Sequence, residues 1–184
     1  MGSFNLSWTA PATSLNQYVK YRTKGSGSWS YSPYITSANP QTNTATSATV
    51  GVLPNNWVYQ FQIDNVCTAG GAPQSSLIIE DIVFQCIQPT VATTSTTWSF
   101  NFGTIGNIDS IVATLIKTST GAVAGYVTLP NGATSFGFTG LTPSTQYHLS
   151  YVMQATVNGV QINSTDYPTQ LGAPCTTIPT STTA

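Results

Sequence analysis

Apolar residues recur at every second position in short runs along this chain, and no window keeps a 3.6-residue period for three turns. Phe4-Asn-Leu6-Ser-Trp8 alternates until Thr9-Ala10-Pro11 stops it, and Gln17 to Arg22 alternates again up to the Gly25-Ser26-Gly27 turn. Trp29 to Tyr34 predicts a short strand broken by Pro33, and the polar stretch Ser37 to Ser47 leads into Ala48 to Leu53. Trp57-Val-Tyr59-Gln-Phe61-Gln-Ile63 is the clearest alternation, turned back by Gly70-Gly71-Ala72-Pro73 into Leu77 to Phe84. Six short strands, separated by turn signals roughly 8–12 residues apart, predict a β-sandwich.

The second half repeats the plan. Trp98-Ser-Phe100-Asn-Phe102 matches Phe4 to Trp8, and Ile111 to Leu115 stands where Gln17 to Tyr21 stood, followed by the Ser119-Thr120-Gly121 turn. Gly125 to Leu129 and Thr134 to Phe138 supply two more strands. Leu141 precedes Tyr147 by six residues, as Leu53 precedes Tyr59, and Cys86 and Cys175 close the two halves. The chain therefore divides into 1–88, 89–175 and a Thr/Pro-rich tail, 176–184.

Trp8-Thr9-Ala10-Pro11, the Val19-x-Tyr21-Arg22 strand and the Leu-x₅-Tyr element resemble the fibronectin type III module. The first half matches over roughly 80 residues, and the second, keeping mainly Leu141-Thr-Pro143 and Tyr147, resembles a divergent relative. The resemblance implies an all-β chain of two tandem fibronectin type III-like antiparallel β-sandwiches. It implies that Tyr59 and Tyr147 form tyrosine corners, with Leu53 and Leu141 beside them in the core. It also implies a spacer, adhesive or interaction role and no chemistry.

One departure from that pattern concerns the edge. The module carries a strand before the one bearing Trp8, and here only three residues precede Phe4. An edge carrying Phe4, Leu6 and Trp8 without a neighbour exposes backbone donors and apolar surface. Strand addition by another chain, or by the Thr176–Ala184 tail, is one expectation for it; a six-stranded sandwich with a solvated edge is the other.

Composition narrows the functions open to such a fold. The chain of 184 residues holds four Lys or Arg, five Asp or Glu and one His, against 31 Thr, 20 Ser, 12 Asn and 11 Gln. Ordinary domains are about 25% charged; this one is 5% charged. Disorder is excluded by 40% hydrophobic content set at alternating positions. Four cations cannot neutralise several phosphates, which argues against nucleic acid as a partner. No apolar run approaches the roughly 20 residues of a membrane helix. Met1-Gly2-Ser3-Phe4 does not look like a signal peptide, so the expectation is a protein made and kept in a cytoplasm, the alternative being a signal already removed. Cys67, Cys86 and Cys175 form an odd set without a CxxC pair, and free thiols are expected.

Few residues carry chemistry. Glu80 and Asp81, adjacent on a strand, face opposite ways and cannot act as a pair. Asp109 and Asp166 fall in predicted turns, and His148 has no evident nucleophile or orienting acid. No catalytic, metal or cofactor site is expected, and the chain is not expected to be an enzyme. Lys20, Arg22 and Lys24 share one face of a strand and are a candidate surface for an acidic group. Trp29, Tyr31 and Tyr34 form an aromatic run able to stack on sugars or anchor an interface. A surface of neutral hydrogen-bonding groups costs far less to desolvate than ions and makes contacts barely affected by salt. These properties suit a building block packed permanently against neighbours. Together with the fold they predict a structural protein of a tailed-bacteriophage virion, an auxiliary or decoration capsid protein or a tail- or fibre-associated one. Its partners would be other virion proteins or copies of itself, with weak host-glycan contact. The alternative is an extracellular bacterial adhesin or an accessory module of a polysaccharide-degrading enzyme.

Overall fold

A computed structural model describes residues 1–9, 16–31, 47–67, 69, 71–164 and 180–182. All regular structure among them is β, and every strand pairing is antiparallel. The chain separates into two units, Met1–Val83 and Phe84–Ala184.

In the first unit β1 (Gly2–Ser7) pairs β4 (Ser47–Leu53) to form one layer. The other layer has the order β3 (Ser30–Tyr31), β2 (Asn16–Thr23), β5 (Tyr59–Val66), β6 (Gln74–Ser75), with β7 (Ile79–Asp81) also on β5. Strict alternation along β1 buries Phe4 and Leu6 and exposes Ser3, Asn5 and Ser7. Phe4 meets the Tyr59 ring at 5.5 Å and the Phe61 ring at 5.1 Å, and Val19, Val50 and Ile63 complete the core. The register of β1 on β4 shifts between Gly2 and Phe4. Opposite that shift Val52 holds φ 63° while exposing two-thirds of its surface. A β-branched residue rarely adopts this left-handed conformation; the bulge imposes it.

The second unit is fuller. One layer has the order β12 (Ser135–Phe138), β9 (Trp98–Asn101), β8 (Thr90–Thr93). The other has the order β11 (Val123–Pro130), β10 (Ser110–Lys117), β13 (Gln146–Val157), β14 (Val160–Asn163), with β15 (Thr180–Thr182) also on β13. Trp98, Phe100, Ile111, Leu115, Leu149 and Met153 are almost wholly buried between them. Strand β8, absent from the sequence reading, pairs the far side of β9. The matching side of β1 has no strand among the described residues.

Several expectations need correction. The strand predicted over Leu77 to Phe84 shrinks to Ile79–Asp81, and Leu77 points outward with 88% of its surface exposed. Of the tail, the described Thr180–Thr182 pairs β13 at Gln146–His148. The thiols are not all free: Cys86 is disulfide-bonded and Cys67 is free. An odd count with no short Cys spacing leaves room for one long-range bridge, which spacing rules do not detect. Apart from these corrections, the compact units part between Val83 and Phe84. The reason is Tyr151 of β13, whose hydroxyl donates to the Ile87 carbonyl at 2.6 Å and accepts from the Ile87 N–H at 2.8 Å. Those bonds bind the connecting segment to the second unit.

Candidate functional site

The corners come first, because they fix where the strands leave the core. Tyr59 and Tyr147 are both buried, as are Leu53 and Leu141. The Tyr59 hydroxyl donates to the Pro54 carbonyl, and the Tyr147 hydroxyl accepts from the Thr142 N–H at 3.1 Å. In each unit the partner is the residue just after the Leu. Asn56 and Ser144, each three residues after that Leu, turn the chain with φ 62° and 52°. Burial, with a smaller contribution from the neighbouring Tyr21, raises the Tyr59 phenol above its usual value near 10.

The basic strand is internally engaged. Lys20 Nζ lies 2.9 Å from the buried Asp64 carboxylate and also donates to Ser75. Lys24 Nζ lies 2.8 Å from Glu80, whose other oxygen accepts from the Gln60 amide at 2.9 Å. Arg22 donates from Nε to Gln60 at 2.8 Å. Its guanidinium carbon sits 4.3 Å from the centre of the half-buried Trp29 ring, which Lys20 also approaches at 5.2 Å. Trp29 thus packs on the cations rather than standing out as a platform, an arrangement favourable for an indole face. The i, i+2, i+4 spacing placed the three cations together but carried no signal for their partners on β5 and β7.

Tyr31 is 60% exposed and meets Tyr18 edge to face at 6.3 Å. The two rings, with Asp64, Val66 and Pro73, line an open cleft of about 370 Å³. Tyr34 lies outside the described residues. Tyr18, which the sequence reading did not single out, is the ring that Tyr31 meets; their adjacency depends on β2 pairing β3, a long-range fact.

A second cavity, of about 330 Å³, opens beside the far edge of β1. Leu6, Trp8, Phe61, Ile63, Leu77 and Ile79 wall it, with Ser7, Gln62 and Ser76 as its polar residues. Phe4 lies deeper, in the core, so the edge trio divides between core and cavity. The Trp8 indole donates to the Gln17 side-chain oxygen at 3.2 Å, which fixes the ring at the cavity mouth.

Among the described residues, the groups that could carry chemistry lie apart. His148 Nδ1 lies 3.2 Å from the Thr118 hydroxyl, and Asp109 accepts from Thr156 at 2.6 Å. Among the described residues there is no cluster of three metal-ligating side chains, and no helix is long and apolar enough to cross a membrane.

No protein-family model matches the chain, and no curated protein does. Among solved structures it is similar to a two-domain fibronectin type III segment of chicken tenascin, at 13% identity and TM-score 0.51, covering 88% of this chain and 90% of that one. It is also similar to the FN1–FN3 domains of chicken CNTN1, at 14% identity and TM-score 0.36, covering 89% and 58%. Identities this low speak to architecture. The chain is an all-β protein of tandem fibronectin type III-like sandwiches.

Proposed function

We propose that this chain is a non-enzymatic interaction module that serves as a structural protein of a tailed-bacteriophage virion. It acts as an auxiliary or decoration protein of the capsid, ahead of a tail- or fibre-associated role. The observation that carries the reading is the near-absence of free charge. Nine ionisable Lys, Arg, Asp and Glu side chains serve 184 residues, and four of these neutralise one another in the Lys20–Asp64 and Lys24–Glu80 pairs. Neutral groups make up most of the rest, with 31 Thr, 20 Ser, 12 Asn and 11 Gln beside exposed apolar side chains such as Leu77 and Tyr126. Such a surface can be covered by neighbours without the cost of burying ions. The partners are other virion proteins or copies of this chain.

The disulfide at Cys86 favours a second reading beside it. Disulfides persist outside reducing cytoplasm, on virions and on secreted proteins alike. A secreted adhesin or an accessory module of a polysaccharide-degrading enzyme would use the Tyr18–Tyr31 cleft for weak stacking on sugar rings.

Density-gradient sedimentation of cell-free particles from the source culture tests the choice. The virion reading expects peptides of this chain to travel with capsid and portal proteins and to stay with them at about 1 M salt, where screening length falls to about 3 Å. Recovery in the soluble secreted fraction, bound to polysaccharide beads, would support the second reading and remove the first.

A further inference from the structure

We propose that the cleft between Tyr18 and Tyr31 binds a single uncharged sugar ring, which stacks on a phenol face and donates a hydroxyl hydrogen bond to Asp64. The proposal specifies the ligand of the sugar contact named above and rests on that interaction role.

Strand pairing brings the parts of this site to one face of one sheet. Val19 is buried in the core, so Tyr18 and Lys20 beside it face outward. Asp64 of β5 stands opposite Tyr18, and Tyr31 of β3 stands opposite Lys20, which puts all four on that outer face. The phenol rings meet at 84° and make a corner of two aromatic planes. Tyr18 is 41% exposed and Tyr31 60%. Asp64 lines the same cleft although it is only 2% exposed. The Ser75 hydroxyl, at 2.5 Å, and Lys20 Nζ, at 2.9 Å, both contact its Oδ1. Among the described residues nothing bonds Oδ2, and a carboxylate oxygen so little exposed calls for a donor.

Charge balance selects the occupant. The Lys20 ammonium neutralises the Asp64 carboxylate, so the site has no net charge with which to attract an ion of either sign. An anion meets the carboxylate in the cleft lining. A quaternary ammonium, which aromatic corners otherwise favour, meets the ammonium. A wholly apolar ligand would strip water from Oδ2 and return no hydrogen bond. A pyranose ring meets every condition: its C–H face packs on a phenol ring, and its hydroxyls give the carboxylate a charge-assisted bond. An apolar cavity of about 150 Å³ accommodates benzene, so the cleft of about 370 Å³ has room for a six-membered ring with its hydroxyls. Arg22 and Lys24, farther along β2, do not line the cleft and are engaged by Gln60 and Glu80.

NMR titration of the intact chain, with the tyrosine ring protons as reporters, reads the binding directly. The neutral probes are methyl glucoside, methyl galactoside and methyl mannoside; glucuronate and glucosamine are their charged counterparts. Saturable shifts with at least one neutral probe are expected, with a dissociation constant on the order of 1 mM, and weaker binding of both charged sugars. Tyr31 is exposed, so Tyr31→Ala leaves the core untouched; it is expected to weaken binding about fivefold, and Tyr31→Phe, which keeps the ring face, to retain it. Tyr126→Ala, at an exposed ring of the second unit, is expected to change nothing. Asp64→Asn removes the carboxylate and leaves the Lys20 charge unbalanced, so the preference is expected to turn towards glucuronate; should that variant fail to fold, the Tyr31 variants decide. No saturable shift with any neutral probe up to about 50 mM, equal binding of the charged sugars, or indifference to Tyr31→Ala overturns the proposal. A chain that travels with particles yet takes no neutral sugar loses the cleft and keeps the packing role; one that takes the sugar but is absent from particles does the reverse.

Discussion

The Tyr59 hydroxyl donates a hydrogen bond to the carbonyl oxygen of Pro54 at 3.2 Å, holding the ring against the start of its own corner. Tyr59→Phe removes one hydrogen bond and leaves the packing on Phe4 in place, so it should cost about 1 kcal/mol at neutral pH. The phenol also sets an alkaline limit. Burial raises its folded value, while the unfolded phenol ionises near 10. Above about pH 10 the unfolded chain therefore holds fewer protons than the folded one. The stabilisation is complete below that point and declines as pH rises from the unfolded value through the raised folded one. Urea titrations from pH 7 to 11 should show the decline in the wild-type protein and a flatter one in Tyr59→Phe.

Two backbone positions predict gains. Val52 and Ser144 hold φ 63° and 52°, conformations that cost an ordinary L-residue about 1–2 kcal/mol. Val52→Gly relieves a β-branched residue at an exposed bulge and should stabilise the first unit by about 1 kcal/mol, after the entropy glycine loses on folding. Ser144→Asn gives the second corner the residue that Asn56 already supplies in the first, with a gain of a few tenths of a kcal/mol. Thermal unfolding checks both, and a fall in midpoint for Val52→Gly would contradict the assigned strain.

These corners also mark how far the sequence could be read. Leu53 to Tyr59 and Leu141 to Tyr147 were legible because one local spacing encodes turn, core anchor and hydrogen bond at once. The alternation of Phe4 and Leu6 was legible for a similar reason: period two assigns faces without knowing the partner strand. Strand β8 was not, since in Thr-Val-Ala-Thr the two apolar residues are adjacent and leave no alternation to detect. Ile79–Asp81 was overextended because an apolar run looks the same whether its residues are buried or, like Leu77, exposed. The partners of Lys20 and Lys24 lie 44 and 56 residues away, set by the pairing of β2 with β5 and of β5 with β7. The Cys86 bridge is equally invisible to local spacing.

The Lys20–Asp64 pair predicts a large effect from a small change. Asp64 keeps 3% of its side-chain surface and Lys20 13%, so the pair is nearly dry. Asp64→Ala would leave the Lys20 ammonium with Ser75 and the Trp29 face alone, and should cost about 3 kcal/mol. Screening acts weakly on a buried pair. The cost should therefore be nearly the same at 0.1 and 1 M salt, and a loss that vanishes at high salt would mean the pair is solvated.

Gly125 of β11 faces the Phe138 ring so closely that an added Cβ would lie 2.8 Å from a ring carbon. Phe138 cannot swing away freely, because it packs edge to face on Phe100 at 6.1 Å and on Phe136 at 5.6 Å. Gly125→Ala should therefore destabilise the second unit by about 1–3 kcal/mol, although alanine is ordinarily at home in a folded backbone. The paired variant Gly125→Ala/Phe138→Leu replaces the ring with a smaller side chain and should recover part of that loss. Recovery is the informative arm: if the double variant falls by the sum of the two single losses, the clash is not the cause.

The disulfide gives the prediction that separates the two units. Cys86 Sγ lies 3.3 Å from the Tyr151 hydroxyl, in the segment that Tyr151 ties to the second unit through Ile87. Reduction releases a crosslink whose removal typically costs about 2–5 kcal/mol in a small domain. The corresponding elements of the first unit, β1 to β7, contain no disulfide-bonded cysteine among the described residues, since Cys67 is free. Reducing agent should therefore lower the unfolding midpoint reported by Trp98, wholly buried in the second unit, and leave that reported by Trp29 in the first. Single-tryptophan variants distinguish the two signals, and an equal shift in both would mean that the units unfold as one cooperative body.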